Sequence, residues 1–264
     1  MPLVVCATPI GNLEDVTLRV LDELRAAVVV LCEDTRHTRG LLQRHGIDAR
    51  LLSYHEHNEA ARTEELLPRL LEGARVALVS DAGMPAVSDP GARIVRAALD
   101  AGVPVTVLPG PSAVETALVA SGLGGGSFQF IGFLPRGAAA LAALWPTLGT
   151  VTVAFESPQR LPATLASLAA FDSSRFVAVC RELTKKFEEV VRGPAAEVAG
   201  RFAEPPKGEV TLVVGAAAAS AVDDGAALTA VAELVDLGVP RKRAAEIVAS
   251  LTGVARNRLY RGSL

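Results

Sequence analysis

The 264-residue chain predicts an α/β fold. Two observations lead there: short apolar runs rich in Val, Leu and Phe recur along it, and amphipathic stretches of helical period separate many of them. An unbroken apolar run reads as a strand covered on both faces, as in a largely parallel sheet. Strands that alternate with helices then form right-handed crossover units, which hold ligands beyond the carboxyl ends of the strands. Half the residues are hydrophobic, which permits a sizeable core and argues against intrinsic disorder.

In chain order the expected strands cover 3–7, 28–32, 50–54, 76–79, 103–108, 128–134, 151–155, 176–180 and 209–214. Helical patterns fill 18–27, 59–71, 92–101 and 112–122, and Glu33-Asp34-Thr35-Arg36 opens a further helix after the second strand. A Gly-rich stretch at 122–126 and a small-residue linker at 216–227 suggest boundaries. The expected organisation is an N-terminal α/β lobe over 1–110, a second over 111–222 and a basic helical tail over 228–264. The tail reads as helices at 228–237 and 241–251 joined by Gly238-Val239-Pro240, with a third beginning near Val254. No internal repeat of solenoid length is present.

The formal net charge of −3 argues against indiscriminate nucleic-acid binding. Its distribution is uneven: from Thr229 onward the chain carries about +3, leaving roughly −6 for the remainder. Cys6, Cys32 and Cys180 lie in apolar runs without metal spacing, so reduced core residues are expected. No run has the length of a membrane span and no signal-peptide pattern opens the chain, so a cytoplasmic protein with no membrane partner is expected.

Four loops that follow strands are dense in residues that shape backbone: 8–15, 80–91, 109–113 and 155–160. Glycine lets a ligand approach the backbone, and proline stiffens a loop and removes a donor. Asp81, at a strand end, suits a ribose or an ammonium group; Ser112 suits a helix cap or a ligand. Each loop alone also reads as an ordinary βα turn. No dinucleotide fingerprint and no P-loop is present, so neither NAD nor ATP is favoured.

The segments Ala7-Thr-Pro-Ile-Gly-Asn-Leu-Glu-Asp15, Glu33-Asp-Thr-Arg-His-Thr38, Leu78-Val-Ser-Asp-Ala-Gly-Met-Pro-Ala-Val-Ser-Asp-Pro-Gly91, Leu108-Pro-Gly-Pro-Ser-Ala113, Phe130-Ile-Gly-Phe-Leu-Pro-Arg136, Phe155-Glu-Ser-Pro-Gln-Arg160 and Arg181-Glu-Leu-Thr-Lys-Lys186 run through most of the chain. With them the sequence closely resembles the bacterial ribosomal RNA small subunit methyltransferase I family, ribose 2′-O-methyltransferases of the tetrapyrrole methylase-like superfamily. The superfamily's Gly-rich first loop is replaced here by Thr8-Pro9-Ile10-Gly11-Asn12. The resemblance implies a two-lobed, class III methyltransferase fold, S-adenosylmethionine held between the lobes, and a homodimer. It also implies that the target is the ribose of a decoding-region cytidine in 16S rRNA, within the small ribosomal subunit. Carried onto matching positions, it implies a donor site of Pro9, Asp81, Ala82, Gly83, Pro85, Ser88, Pro109, Gly110, Ser112, Phe133, Val210 and Thr211.

Methyl transfer to a hydroxyl needs orientation and a destination for the proton, but no metal, because the sulfonium is already activated. His37, His45, His55 and His57 form no convincing ligand set, and His55-Glu56-His57 reads as solvated structure. Lys185, Glu156 and Asp34 are the catalytic candidates. Asp34 also reads as a helix cap and Glu156 as a carboxylate favoured by a helix dipole. Arg36, Arg160, Arg181, Lys186, Arg241, Lys242 and Arg243 are candidates for phosphate contacts, and a solvated charge run is the competing reading. Few aromatics are present, so recognition by RNA shape and phosphates is expected. A tetrapyrrole-type small-molecule methyltransferase and a catalytically idle RNA-binding assembly factor are the alternatives.

Overall fold

The computed structural model describes residues 2–217 and 224–262. It divides into two compact units, Met1–Gly215 and Ala216–Leu264.

The larger unit contains two sheets. The first comprises β1 (Leu3–Cys6), β2 (Val29–Cys32), β3 (Leu51–Ser53), β4 (Val76–Leu78) and β5 (Val105–Leu108), in the order β3-β2-β4-β1-β5. Every pairing in it is parallel. Strands β1, β2 and β4 are wholly buried, as their unbroken Val/Leu runs predict. Alternate residues feed opposite faces. Val4, Cys6 and Val30 pack under α1 (Leu18–Ala26) and α2 (Thr35–Arg44). Leu3, Val5 and Leu31 pack under α3 (Glu59–Leu71) and α4 (Ala92–Asp100). Helix starts follow local chemistry: the Thr17 hydroxyl accepts from the Val20 N–H and the Asp34 carboxylate from the Arg36 N–H.

The second sheet comprises β6 (Phe128–Phe133), β7 (Val151–Glu156), β8 (Phe176–Arg181), β9 (Glu189–Pro194) and β10 (Val210–Val214), in the order β6-β7-β10-β8-β9. Only β6 and β7 run parallel; the other three pairings are antiparallel. The expectation of a largely parallel sheet therefore holds for the first sheet and fails for this one. An unbroken apolar run reports burial on two faces, not strand direction. Here both faces are covered, by α5 (Ala113–Ser121) on one side and α6 (Ala138–Leu144), α7 (Leu161–Phe171) and α8 (Ala195–Arg201) on the other. Strand β9 and helices α6–α8 have no counterpart among the expected segments.

The buried charges Glu23 and Arg175 are matched. The Arg75 guanidinium makes a bidentate pair with Glu23 at 2.6 and 2.8 Å. Arg175 donates to the Gly215 carbonyl at 2.7 Å and to that of Leu148. Cys6, Cys32 and Cys180 are free and buried, and burial pushes the thiols of Cys6 and Cys180 up to about 12. No helix among the described residues is long and apolar enough to cross a membrane.

The smaller unit folds as α9 (Asp224–Asp236), α10 (Arg241–Thr252) and α11 (Arg256–Gly262) around Ala227, Val231, Ala244, Ala245, Val248 and Leu259. Pro240 precedes α10 and Gly253, at φ 73°, ends it. Part of the expected small-residue linker, 218–223, lies outside the described residues.

Leu212 is fully buried in β10, the central strand of the second sheet. Leu212→Ala is expected to destabilise the larger unit by about 2–5 kcal/mol. A shift of the urea midpoint would show it; an unchanged midpoint would mean that the β10 core is not cooperative with the rest.

Candidate active site

Loops at the strand ends of both sheets meet on one side of the larger unit. Residues 8 and 83 exchange backbone hydrogen bonds, the Thr8 N–H donating to the Gly83 carbonyl at 2.8 Å and the Gly83 N–H to the Thr8 carbonyl at 3.0 Å. Gly83 makes that pairing at φ 75°, a conformation glycine adopts at no steric cost. In the same loop Ala86 and Ser88 also hold positive φ, at 66° and 65°, an uncommon and strained conformation for side-chain-bearing residues. A Cβ on Gly110 would lie 2.9 Å from the Ala7 Cβ, so the third loop lies flush on the end of β1.

The turn after β8 closes on the first loop. The Asn12 N–H donates to the Thr184 hydroxyl at 3.0 Å. A Cβ on Gly11 would lie 2.5 Å from the Lys185 Cγ and 2.9 Å from the Leu183 carbonyl oxygen. Glu182 and Thr184 take left-handed backbone there, at φ 52° and 65°.

Between these loops lies a cavity of about 540 Å³. Ile10, Gly83 and Asp89 border it from the first sheet's loops, and Phe133, Glu156 and Thr211 from the second sheet. It brings together Ala82, Gly83, Ser88, Ser112, Phe133, Val210 and Thr211 of the expected donor set, together with Glu156. Phe133 is 62% exposed, where the β6–β7 register shifts between Phe130 and Phe133. Pro9 and Asp81 border a separate, very small depression with Thr8, His37 and Thr38. Pro85, Pro109 and Gly110 border neither space.

The catalytic candidates are all engaged by neighbours. Glu156 is buried, and its carboxylate accepts from the Ser157 N–H and the Thr164 hydroxyl at 2.6 Å each, and pairs with Arg160. Asp34 caps α2 and is gripped by the Arg36 side chain and N–H, which draw its carboxyl down to about 2. The Lys185 ammonium pairs with Glu209 at 2.7 Å and Glu182 at 3.0 Å. Burial works against that ammonium, but the two carboxylates outweigh it and hold its pKa above the usual value. Lys185 is not a cavity-lining residue.

The cations differ in freedom. Arg160 also donates to the Leu134 carbonyl, and Arg181 pairs with Glu189 while donating to the Lys207 carbonyl. Arg36 and Lys186 are exposed, the latter 5.6 Å from the Phe187 ring centroid. Arg241, Lys242 and Arg243 open α10 in the smaller unit, with Arg243 paired to Glu246.

Two features escape the sequence reading. Asp89 borders the cavity, and burial, aided by the charges of Glu33 and Asp81, pushes its carboxyl up to about 7. Its sequence context, Asp89-Pro90-Gly91, signals only a turn before a helix. His55 is half-buried, not solvated as expected: the turn 55–58 folds the ring inward onto Asn58 at 3.2 Å and leaves its Nδ1 without a hydrogen-bond partner.

The profile of the tetrapyrrole (corrin/porphyrin) methylases matches residues 2–199. A "Ribosomal RNA small subunit methyltransferase I" from Micromonospora olivasterospora is 46% identical over 96% of this chain and 83% of its own length. The chain belongs to this family. Another member, of the same name, from Mesorhizobium japonicum, is 44% identical over 98% of this chain and 90% of its own. Among solved structures, a uroporphyrin-III-C-methyltransferase from Thermus thermophilus superposes with a TM-score of 0.59 at 25% identity, over 81% of this chain and 93% of that one. The family's two-lobed fold is thus the one seen here.

Glu156→Gln would leave the Arg160 guanidinium without its anion. The expected loss is on the order of 2 kcal/mol, below the roughly 3–5 kcal/mol of a fully buried pair because Arg160 keeps some solvent. Thermal unfolding measures it; no loss would mean that the pair is dispensable.

Proposed function

We propose that the chain is an S-adenosylmethionine-dependent methyltransferase that methylates the ribose 2′-oxygen of a cytidine in the decoding region of 16S rRNA. The observation that carries the reading is the cavity between the two sets of strand ends. It stands on loops whose residues match the family's motifs, in a chain whose relatives are named for small-subunit rRNA methylation. RNA is preferred to a tetrapyrrole because the relatives at 44–46% identity carry the rRNA name, whereas the tetrapyrrole enzyme is 25% identical.

The cavity fits the donor. Its volume lies within the ~300–1,000 Å³ usual for small-molecule sites, and its lining combines apolar Ile10, Ala82, Val114 and Phe155 with polar Ser112 and Thr211. Ala82, Gly83, Ser88, Ser112, Phe133, Val210 and Thr211 would hold the donor directly. Pro9, Asp81, Pro85, Pro109 and Gly110 would shape the loops behind them. The Asp81 carboxylate does this by accepting from the Asp34 N–H at 3.1 Å, tying the ends of β4 and β2 together. The donor supplies an activated methyl group; the chain orients it, excludes water and receives a proton.

Exposed Arg36 and Lys186 suit phosphate contacts. Arg160 acts through Glu156, and Lys185 through Glu209, so these two position the walls of the cleft, while Arg181 is held by Glu189. Arg241, Lys242 and Arg243 add a second basic element for rRNA within the small subunit. In this reading 1–110 and 111–222 are the two catalytic lobes and 228–264 is an RNA-binding tail. The working form is a cytoplasmic homodimer.

Tritium transfer from labelled donor to isolated small subunits, followed by mass mapping of the modified nucleotide, tests the reading. A labelled cytidine ribose is the expected result; transfer to a base atom, or donor binding without transfer to any RNA, would overturn it. Gly110→Ala should push the third loop off Ala7 and weaken donor binding by roughly tenfold, about 1.4 kcal/mol by calorimetry. Unchanged affinity would remove that loop from the donor site.

A further inference from the structure

Phe187 is 67% exposed, more than any other phenylalanine among the described residues. Phe128 and Phe176 are also exposed, but they open β6 and β8, at the far end of the second sheet from the cavity, and Phe171 ends α7. Phe133 borders the cavity and packs edge-on against Phe155, with ring centroids 5.5 Å apart. Phe187 lies instead in the turn 182–188 between β8 and β9, whose Leu183 borders the cavity while Phe187 does not.

A single exposed aromatic side chain is ordinary on a protein surface. What sets this one apart is the turn that presents it. The Lys185 N–H donates to the Glu182 carbonyl at 3.0 Å and the Glu188 N–H to the Lys185 carbonyl at 3.1 Å. The Glu188 carboxylate folds back to accept from the Thr184 N–H at 2.5 Å, so the acid next to Phe187 is engaged inside the turn. Lys185 ties the turn to Glu209, and the Asn12 N–H on the Thr184 hydroxyl ties it to the first loop. Glu182 and Thr184 hold left-handed backbone, which persists only where surrounding contacts over-determine it. One braced turn thus buries Leu183 in the cavity wall and, four residues on, exposes a ring with the Lys186 ammonium 5.6 Å from its centroid.

We propose that Phe187 stacks on the nucleobase next to the target cytidine, with Lys186 on the adjoining phosphate, an assignment that rests on the rRNA ribose methyltransferase reading above. A cavity of about 540 Å³ admits one nucleotide's reacting atoms beside the donor, not a stacked strand. An enzyme that works on one nucleotide in a pocket draws it out of its stack. The flanking base then loses a stacking face, and an aromatic ring at the mouth replaces it. Stacking of this kind tolerates any base, because every base has a π face, and it is a usual way of holding splayed single-stranded RNA. In the bound state the base takes the face of Phe187 opposite Lys186, and the ammonium reaches the phosphate. With eight phenylalanines, two tyrosines and one tryptophan the chain has little material for an extended aromatic platform, but one ring serves one base. A cation over that ring suits a polyanion better than an apolar protein surface.

The test is a substitution series at residue 187, assayed on small subunits. Phe187→Ala should lower subunit affinity by filter binding and kcat/KM for subunits together, each about 5–100-fold, with donor affinity by calorimetry within twofold of wild type. Phe187→Tyr and Phe187→Trp should bring both back to within threefold. Phe187→Leu keeps apolar bulk without a π face and should behave like the alanine variant. The loss in Lys186→Ala should shrink as salt rises, whereas that in Phe187→Ala should persist. Phe187→Trp also carries a reporter, because the natural Trp145 is buried at 1% exposure. Its emission should be quenched on adding subunits, while the wild-type emission stays constant.

Leucine restoring affinity as well as tryptophan would mean a contact with a protein surface of the subunit, not with a base. That result, a Phe187→Ala variant within twofold of wild type, an unquenched Phe187→Trp, or a loss of donor affinity that accounts for the lost rate would each overturn the proposal. Failure of the methyltransferase reading is told apart by the wild type. It would then transfer no methyl group to subunits, whereas failure of the stacking assignment leaves wild-type transfer intact.

Discussion

Burial on both faces is the constraint from which the site follows. Strands β1, β2, β4 and β10 carry almost nothing but Val, Leu, Ala and Cys, and each is enclosed by helices on either side. Such a sheet has no room along its length for an ionised group without a partner. Glu23, Arg175 and Glu156 are tolerated inside because each is matched, Glu23 by Arg75 reaching in from the surface. Polar chemistry is displaced to the strand ends, where loops can reach water and ligand together.

Two sets of strand ends then have to be held facing one another. The close approach of Gly11 to the turn at 183–185, with the Asn12 N–H on the Thr184 hydroxyl, does this. A side chain at residue 11 would hold the turn away from the first loop. The strained backbones at Ala86, Ser88, Glu182 and Thr184 occur in the two loops that flank this junction. Strain of that kind persists where surrounding contacts over-determine the conformation, and it preorganises the walls of the cavity.

Within this frame the charges divide by task. Lys185 and Arg160 are drawn into pairs with Glu209 and Glu156, which border the cavity, Arg181 into a pair with Glu189, and Asp34 into capping α2. What these pairings leave at the cavity is the carboxylate of Asp89, surrounded by others of its own sign. Burial and like charge together push that carboxyl up to about 7.

Local chemistry alone determined much of this. The period of the apolar runs placed β1, β2 and β4–β8, the helices α1 and α3–α5 and the tail helices close to their final limits, because two-sided burial and helical amphipathicity are written into neighbouring residues. Proline, glycine and aspartate marked the strand-end loops for the same reason. The direction of β8–β10 was not legible, since an apolar run is the same read against a parallel or an antiparallel partner. Nor were the fates of Lys185, Glu156 and Asp89 legible. Arg181-Glu182-Leu183-Thr184-Lys185-Lys186 looks like a cationic run until Glu209, 24 residues away, folds back onto Lys185. Asp89 looks like a turn residue until β2 and β4 bring Glu33 and Asp81 beside it. Those neighbours are distant in sequence, and the energy that distinguishes a paired charge from a free one depends on them; only the tertiary structure could decide it.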